Sequence, residues 1–139
     1  MSPSILVCAD RHDSFRDSDI FAAVAVLEYL LEKGEIDGAL KDVVSDWRSE
    51  LGRSGPGTID LGLDAIETDL SVRRRLAGAL AYSAERAKSE WSGEIPASVL
   101  NRFDPFQVRF SSYSVSDISR VFMRLHRLLE GATAVDEIS

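Results

Sequence analysis

Asp10, His12, Asp13, Asp17 and Asp19 bring carboxylate and imidazole donors together in one short stretch near the N-terminus. Hard divalent cations take carboxylates, and borderline metals take imidazole together with carboxylate. The stretch is therefore a candidate for metal-dependent hydrolysis centred on Asp10, His12 and Asp13. Its spacing matches no established ligand motif; an EF-hand, for example, places a Gly and a terminal Glu at fixed offsets. Asp and Ser ahead of a helix also act as caps and as favourable partners of the helix dipole. Metal chemistry is accordingly an alternative reading, and no metal ligand or cofactor is assigned.

Other catalytic sets are incomplete. His12 and His126 are the two histidines of the chain, too few for a histidine–aspartate hydrolase. His126 sits among Arg124 and Arg127 on the last expected helix, as a boundary residue. Cys8 lies in an apolar run where a free thiol is usually inert packing. The Gly52 to Gly57 loop lacks the following Lys of a phosphate-binding loop and no strand precedes it. No catalytic residue is assigned.

Charge is more informative. The 139 residues carry a net charge of −7, which argues against nonspecific nucleic-acid binding, since phosphates demand a basic face. Residues 1–70 hold 15 acidic and 6 basic side chains, whereas residues 71–139 hold 8 and 10. The acidic half can steer a basic partner. Asp42, Asp46 and Glu50 repeat at helical spacing, and each like-charge pair weakens an isolated helix by a few tenths of a kcal/mol. A stripe kept at that cost is a candidate docking face, joined by Asp60 and Asp64. Two basic groups stand opposite in sign. Arg73, Arg74 and Arg75 open a helix, with Glu67 and Asp69 upstream to offset them, and Arg120, Arg124 and Arg127 form a stripe near the C-terminus.

The elements that position these residues are mostly helical. Ser4 to Ala9 is a short apolar run expected to be a buried strand, followed by a polar loop to Asp17. Ser18 is placed to cap a first helix over about 19–33, ended by Gly34. Ile36, Leu40, Val43, Trp47 and Leu51 predict a second helix, stopped by Gly52. Thr58 onward reads as an extended lead-in to a short helix from about Leu63. Asp69 or Ser71 then starts a long helix to about Trp91, buried along Val72, Leu76, Leu80, Ala84 and Ala87. The small residues Ala77, Gly78 and Ala81 beside that stripe permit close approach of another helix and suggest a self-associating or adaptor module. Pro96 opens a short helix to about Arg102, and Phe106, Val108 and Phe110 alternate as a second strand. Ser114 or Ser116 caps a final helix ended by Gly131, with the tail from about 132 expected to fray.

This composition and order predict a mainly α fold, with about five helices and two short strands, in a single α+β domain over 1–139. A lone cysteine, no apolar run of membrane-spanning length and no signal-peptide pattern make the cytoplasm the expected compartment.

The opening strand, Asp10 and the following helix resemble the start of a receiver domain, but the next element reads as an amphipathic helix instead of a parallel strand. A second resemblance starts at Ile59. Ile59-Asp-Leu-Gly-Leu-Asp64, the Val72 to Trp91 helix, Gly93-Glu-Ile-Pro96 leading to Leu100-Asn101, and the final helix ending Leu128-Leu129 resemble small immunity proteins of bacterial polymorphic and contact-dependent toxin systems. That resemblance implies a cytoplasmic inhibitor, often acidic, that blocks a cognate toxin by one-to-one binding; with the acidic surface, the expected partner is a basic toxin domain. It carries no functional residue over by position.

Overall fold

The computed structural model describes residues 3–53, 57–101 and 112–130. Six α-helices and two separate two-stranded antiparallel sheets make up the described chain. The mainly helical α+β class expected from the sequence is thus observed, with four strands in place of two.

The first sheet is a hairpin of β1 (Ser4–Cys8) and β2 (Arg11–Phe15), joined by a two-residue turn at Ala9 and Asp10. The polar stretch after β1 is therefore a strand and not a loop. Arg11 and Asp13 are tolerated on its inward face because both find partners on the last helix, α6 (Val115–Glu130). Arg11 donates from Nε to the Leu128 carbonyl (2.9 Å) and from its terminal nitrogen to that of Leu129 (3.3 Å). A cation is favoured there, at the negative end of the helix dipole. Arg124 grips Asp13 with two hydrogen bonds (3.0 and 2.8 Å), donates to the Ser14 carbonyl, and lies over the Phe15 ring at 4.4 Å.

The central helix α1 (Asp17–Glu32) packs against four others: α2 (Lys41–Arg53), α4 (Leu70–Glu90), α5 (Ala97–Leu100) and α6. Ala22 to Leu27 are consequently all buried, as the broad apolar arc of its sequence predicts. It starts two residues before the expected Asp19. Arg16 occupies the N-cap position without a side-chain cap, and Ser18 falls in the first turn with Asp17 and Asp19. Asp37 accepts from the Ala39 amide and opens a single 3-10 turn at Gly38–Leu40, so α2 begins later than its apolar spacing suggests. Val44, Trp47 and Leu51 form its buried face, Val43 is half-buried, and the helix runs through Gly52 to Arg53.

The extended lead-in over 58–62 and the short α3 (Leu63–Thr68) are as expected. Asp69 caps α4 by accepting from the Val72 amide (3.3 Å). α4 and α6 lie along each other, burying Leu76, Leu80, Ala84, Phe122, Leu125 and Leu129. The expected helix after Pro96 is the single turn of α5, and Pro96 itself ends β3 (Glu94–Pro96), which pairs with β4 (Ser112–Ser114). Ser114 caps α6 by accepting from the Asp117 amide. The expected strand at Phe106, Val108 and Phe110 and the expected fraying tail lie outside the described residues.

Two stability predictions follow from this packing. Gly78 stands inside α4, and a Cβ there would meet nothing within 4 Å. Gly78→Ala should therefore raise unfolding free energy by about 0.5–1 kcal/mol, measured by urea denaturation; an unchanged or lowered midpoint would contradict the helical setting. Asp13 has its acidity strengthened chiefly by the Arg124 hydrogen bonds. A carboxyl whose folded pKa lies below its unfolded value stabilises the fold above the unfolded value, near 4, and loses that contribution as pH falls through the folded one. Asp13→Asn should lower stability at neutral pH and flatten the acid limb of the pH–stability curve. An acid limb identical to that of the parent chain would refute the link.

Candidate partner-binding surface

The five carboxylates singled out from the sequence are arranged by one irregular segment. Residues 57–62 cross from the end of α2 to the start of α3 without pairing to any strand. Buried backbone polar groups must nevertheless be satisfied, and here side chains do it. The Trp47 indole donates to the Leu61 carbonyl at 2.8 Å. Ser4, fully buried, accepts from the Ile59 amide (3.0 Å) while donating to Asp17 (2.7 Å). The other Asp17 oxygen accepts from the Gly57 amide (2.9 Å). At the far end Asp64 accepts from the Ala9 amide, and the Cys8 thiol, raised in pKa mainly by burial, points to the Leu63 carbonyl at 3.7 Å.

Held this way, the segment forms one wall of two adjoining grooves. The first, about 310 Å³, runs between α2 and the 60–66 region and is lined by Asp46, Glu50, Asp60 and one cation, Arg53, around Trp47 and Leu61. The second, about 480 Å³, runs between the same segment and β1 and is lined by Asp60, Asp64, Ile5 and Val7. Asp60 belongs to both, so four of the five predicted residues share one continuous surface. Asp42 is exposed on α2 but lines neither groove.

Most other charges are neutralised within the fold. Arg73 pairs with Glu67 (3.3 Å), Arg75 with Asp37 (2.8 Å), and Arg86 with Glu35 and Glu90. Arg120 pairs with Asp117 (3.0 Å). Most of the basic residues singled out from the sequence thus have structural partners. Glu50 is paired with Arg53 at 2.7 Å. Among the described residues, however, no basic side chain lies within ion-pair distance of Asp46, Asp60 or Asp64. The cleft between α1 and α2, about 420 Å³, is more evenly mixed, with Glu28 and Glu32 beside Lys41 and Arg48.

The N-terminal carboxylates are dispersed by the hairpin. Strand alternation sends His12 and Asp13 to opposite faces. Asp13 is engaged by Arg124, Asp17 by Ser4 and Gly57, and the buried Asp19 by Tyr113 and Arg16. Burial, reinforced by Asp19, drives the Tyr113 hydroxyl pKa upward. Among the described residues no three His, Cys, Asp or Glu side chains are grouped to hold a metal ion. His126 meets the Ala77 carbonyl at 3.0 Å, at the α4–α6 boundary where Ala77 is buried.

Two features of this surface escape the sequence. Ile5 and Val7 belong to a run read as buried, yet they are 60% and 46% exposed. Apolar residues on both faces of β1 hide its alternation, and the polar Ser4, in phase with the buried Leu6 and Cys8, points to the wrong face. Trp47 reads as core, which it is, but its indole nitrogen also anchors the segment. No family model matches the chain, and neither a curated protein nor a solved structure matches it.

Ser4→Ala removes the acceptor of a buried amide, a loss of about 1–3 kcal/mol, whereas Asp46→Ala at an exposed site should stay within about 0.5 kcal/mol of the parent. Denaturant midpoints of the two variants test this. Equal effects would mean that Ser4 does not secure the segment.

Proposed function

We propose that this chain is an acidic protein-binding domain, in its concrete form an immunity-type inhibitor that occludes a basic cognate toxin domain in the bacterial cytoplasm. One observation carries the reading: Asp46, Asp60 and Asp64, without a cationic partner among the described residues, border two grooves that share a wall. Carboxylates left unneutralised on a concave surface create a local negative potential. Such a field speeds encounter with a basic surface and fixes its orientation more than it deepens affinity. Glu50, already bridged to Arg53, can exchange that partner for one on the bound protein. Inhibition requires only that the covered surface include the toxin's active site, so no catalytic residue is needed in this chain. No described helix is long and apolar enough to cross a membrane.

The test is affinity purification of the full chain from its native host, comparing three versions. The parent should bring down a basic protein in stoichiometric amount. The Asp46→Lys/Glu50→Lys double variant should weaken that association by about tenfold or more, the equivalent of at least ~1.4 kcal/mol. Asp42→Lys, on the same helix but outside the grooves, should leave it nearly unchanged. If Asp42→Lys is as damaging as the double variant, the site is not the groove. Turnover of a substrate by the purified chain with added divalent metal would replace the reading with an enzymatic one.

A further inference from the structure

The second groove has a backbone wall as well as a charged one. The β1–β2 turn has two central residues, Ala9 and Asp10, with a left-handed φ of 57° at Ala9. A two-residue hairpin turn of this kind closes on a hydrogen-bonded pair, here Cys8 and Arg11. Hydrogen-bonded and non-hydrogen-bonded pairs then alternate along an antiparallel ladder. Ser4, Leu6 and Cys8 therefore turn their amides and carbonyls toward β2, and Ile5 and Val7 turn theirs away from it. Two contacts agree with this phase. The Ala9 amide points outward to Asp64, and the Ser14 carbonyl points outward to Arg124.

Both edges of the hairpin carry outward backbone groups, and apolar side chains flank only those of β1. On the free edge of β2, Arg124 takes the Ser14 carbonyl, while the outward groups of His12 have no bond among the described residues. On the β1 side, Asp64 takes the Ala9 amide at one end and Ser4 Oγ takes the Ile59 amide at the other. Between these ends, among the described residues, no backbone group bonds to the outward amides and carbonyls of Ile5 and Val7. They open on the 480 Å³ groove, beside the exposed Ile5 and Val7 side chains. An apolar strand edge left open in this way is a ready template for a further strand. Natural edges are usually blunted by lysine or proline, and neither residue type occurs between Ser4 and Cys8.

We propose that β1 accepts an extended segment of a different protein, which adds to the hairpin as a third strand and carries Lys or Arg toward Asp60 and Asp64. Main-chain bonds to Ile5 and Val7 supply a sequence-independent part of the binding, and the flanking carboxylates select the charge of the segment. A second copy of this chain is a poor occupant, because pairing β1 with β1 would set two Asp60–Asp64 pairs against each other. The sign of the partner's charge rests on the function proposed above; the open edge does not.

The experiment is residue-resolved amide exchange on the full chain, alone and with a capped octapeptide alternating lysine and valine. In the free chain, the Ile5 and Val7 amides should exchange faster than those of Leu6 and Cys8. The peptide should slow Ile5 and Val7 saturably. An analogue with alternate backbone nitrogens methylated keeps its charge but loses its strand-pairing edge, and should bind about tenfold more weakly or worse. Val7→Pro, whose missing amide faces outward and is tolerated at an edge, should stay folded and lose the peptide. Should that variant fail to fold, the free-chain exchange rates still decide the phase. Protected Ile5 and Val7 amides in the free chain, equal binding of both peptides, no protection by either, or protection that grows only with self-association would each overturn the proposal. Loss of partner capture in the Asp46→Lys/Glu50→Lys variant with no peptide protection would preserve the acidic-surface reading and discard the added strand.

Discussion

The organisation of this surface depends on satisfying the backbone of a segment that belongs to no regular element. Residues 57–62 run between a helix and a strand, and a chain in that position cannot leave buried amides and carbonyls unpaired. Ser4, Asp17 and Trp47 supply the missing partners, at 3.0, 2.9 and 2.8 Å. Each comes from a different element, so the same three bonds that satisfy the segment also lock β1, α1 and α2 in relation to it. Removing one would both expose an unmet polar group and free a wall of the two grooves. Stability and site geometry are therefore coupled here through a few side chains, in contrast to the α4–α6 contact, where apolar area is shared among many residues.

The helices were legible because their signals are local and redundant. α4 shows a cap at Asp69, one of the two candidates, and a stripe at helical spacing of which Leu76, Leu80, Ala84 and Ala87 are buried as expected and Val72 only half-buried. The lead-in to α3 was legible too, from alternation giving way to helical spacing at Leu63. β2 was not. Arg11-His12-Asp13-Ser14 has no apolar alternation, and its inward-facing charges make sense only once Arg124 and the carbonyl end of α6 are beside it. Those partners are more than a hundred residues away in sequence, beyond any local pattern. The start of α1 was misjudged for a smaller reason: Ser18 is a good cap by type, but Asp17 is already committed to Ser4 and Gly57 inside the helix.

For the candidate surface, residue types were legible and their grouping was not. Helical spacing alone could align Asp46 with Glu50, and equally with Asp42. Only the Trp47 bond, which draws Leu61 against α2, decides that Asp60 faces the Asp46–Glu50 side and leaves Asp42 apart. The N-terminal cluster shows the converse. Of five ligand-type side chains close in sequence, Asp13, Asp17 and Asp19 are taken up by different partners and no three are grouped together, because a strand alternates its faces and the following helix rotates each residue by about 100°.

The distribution of neutralised charge gives the strongest physical contrast in the molecule. Partly exposed acidic residues such as Asp13, Glu35 and Glu67 are matched by arginines that tie elements together. Such pairs at partly exposed sites contribute modestly to stability and more to fixing one arrangement over others. The carboxylates along α2 and the 60–64 region have no such task toward cations, apart from Glu50. They sit beside an apolar strand edge whose outward groups are open, while on the opposite edge Arg124 takes the Ser14 carbonyl. Solubility alone would be served by acidic residues anywhere on the exterior. Gathering them around two grooves and an open apolar edge adds repulsion within the fold and restricts which surfaces can approach. That combination would suit the proposed basic partner, and it sets like charges against each other if the chain pairs with itself.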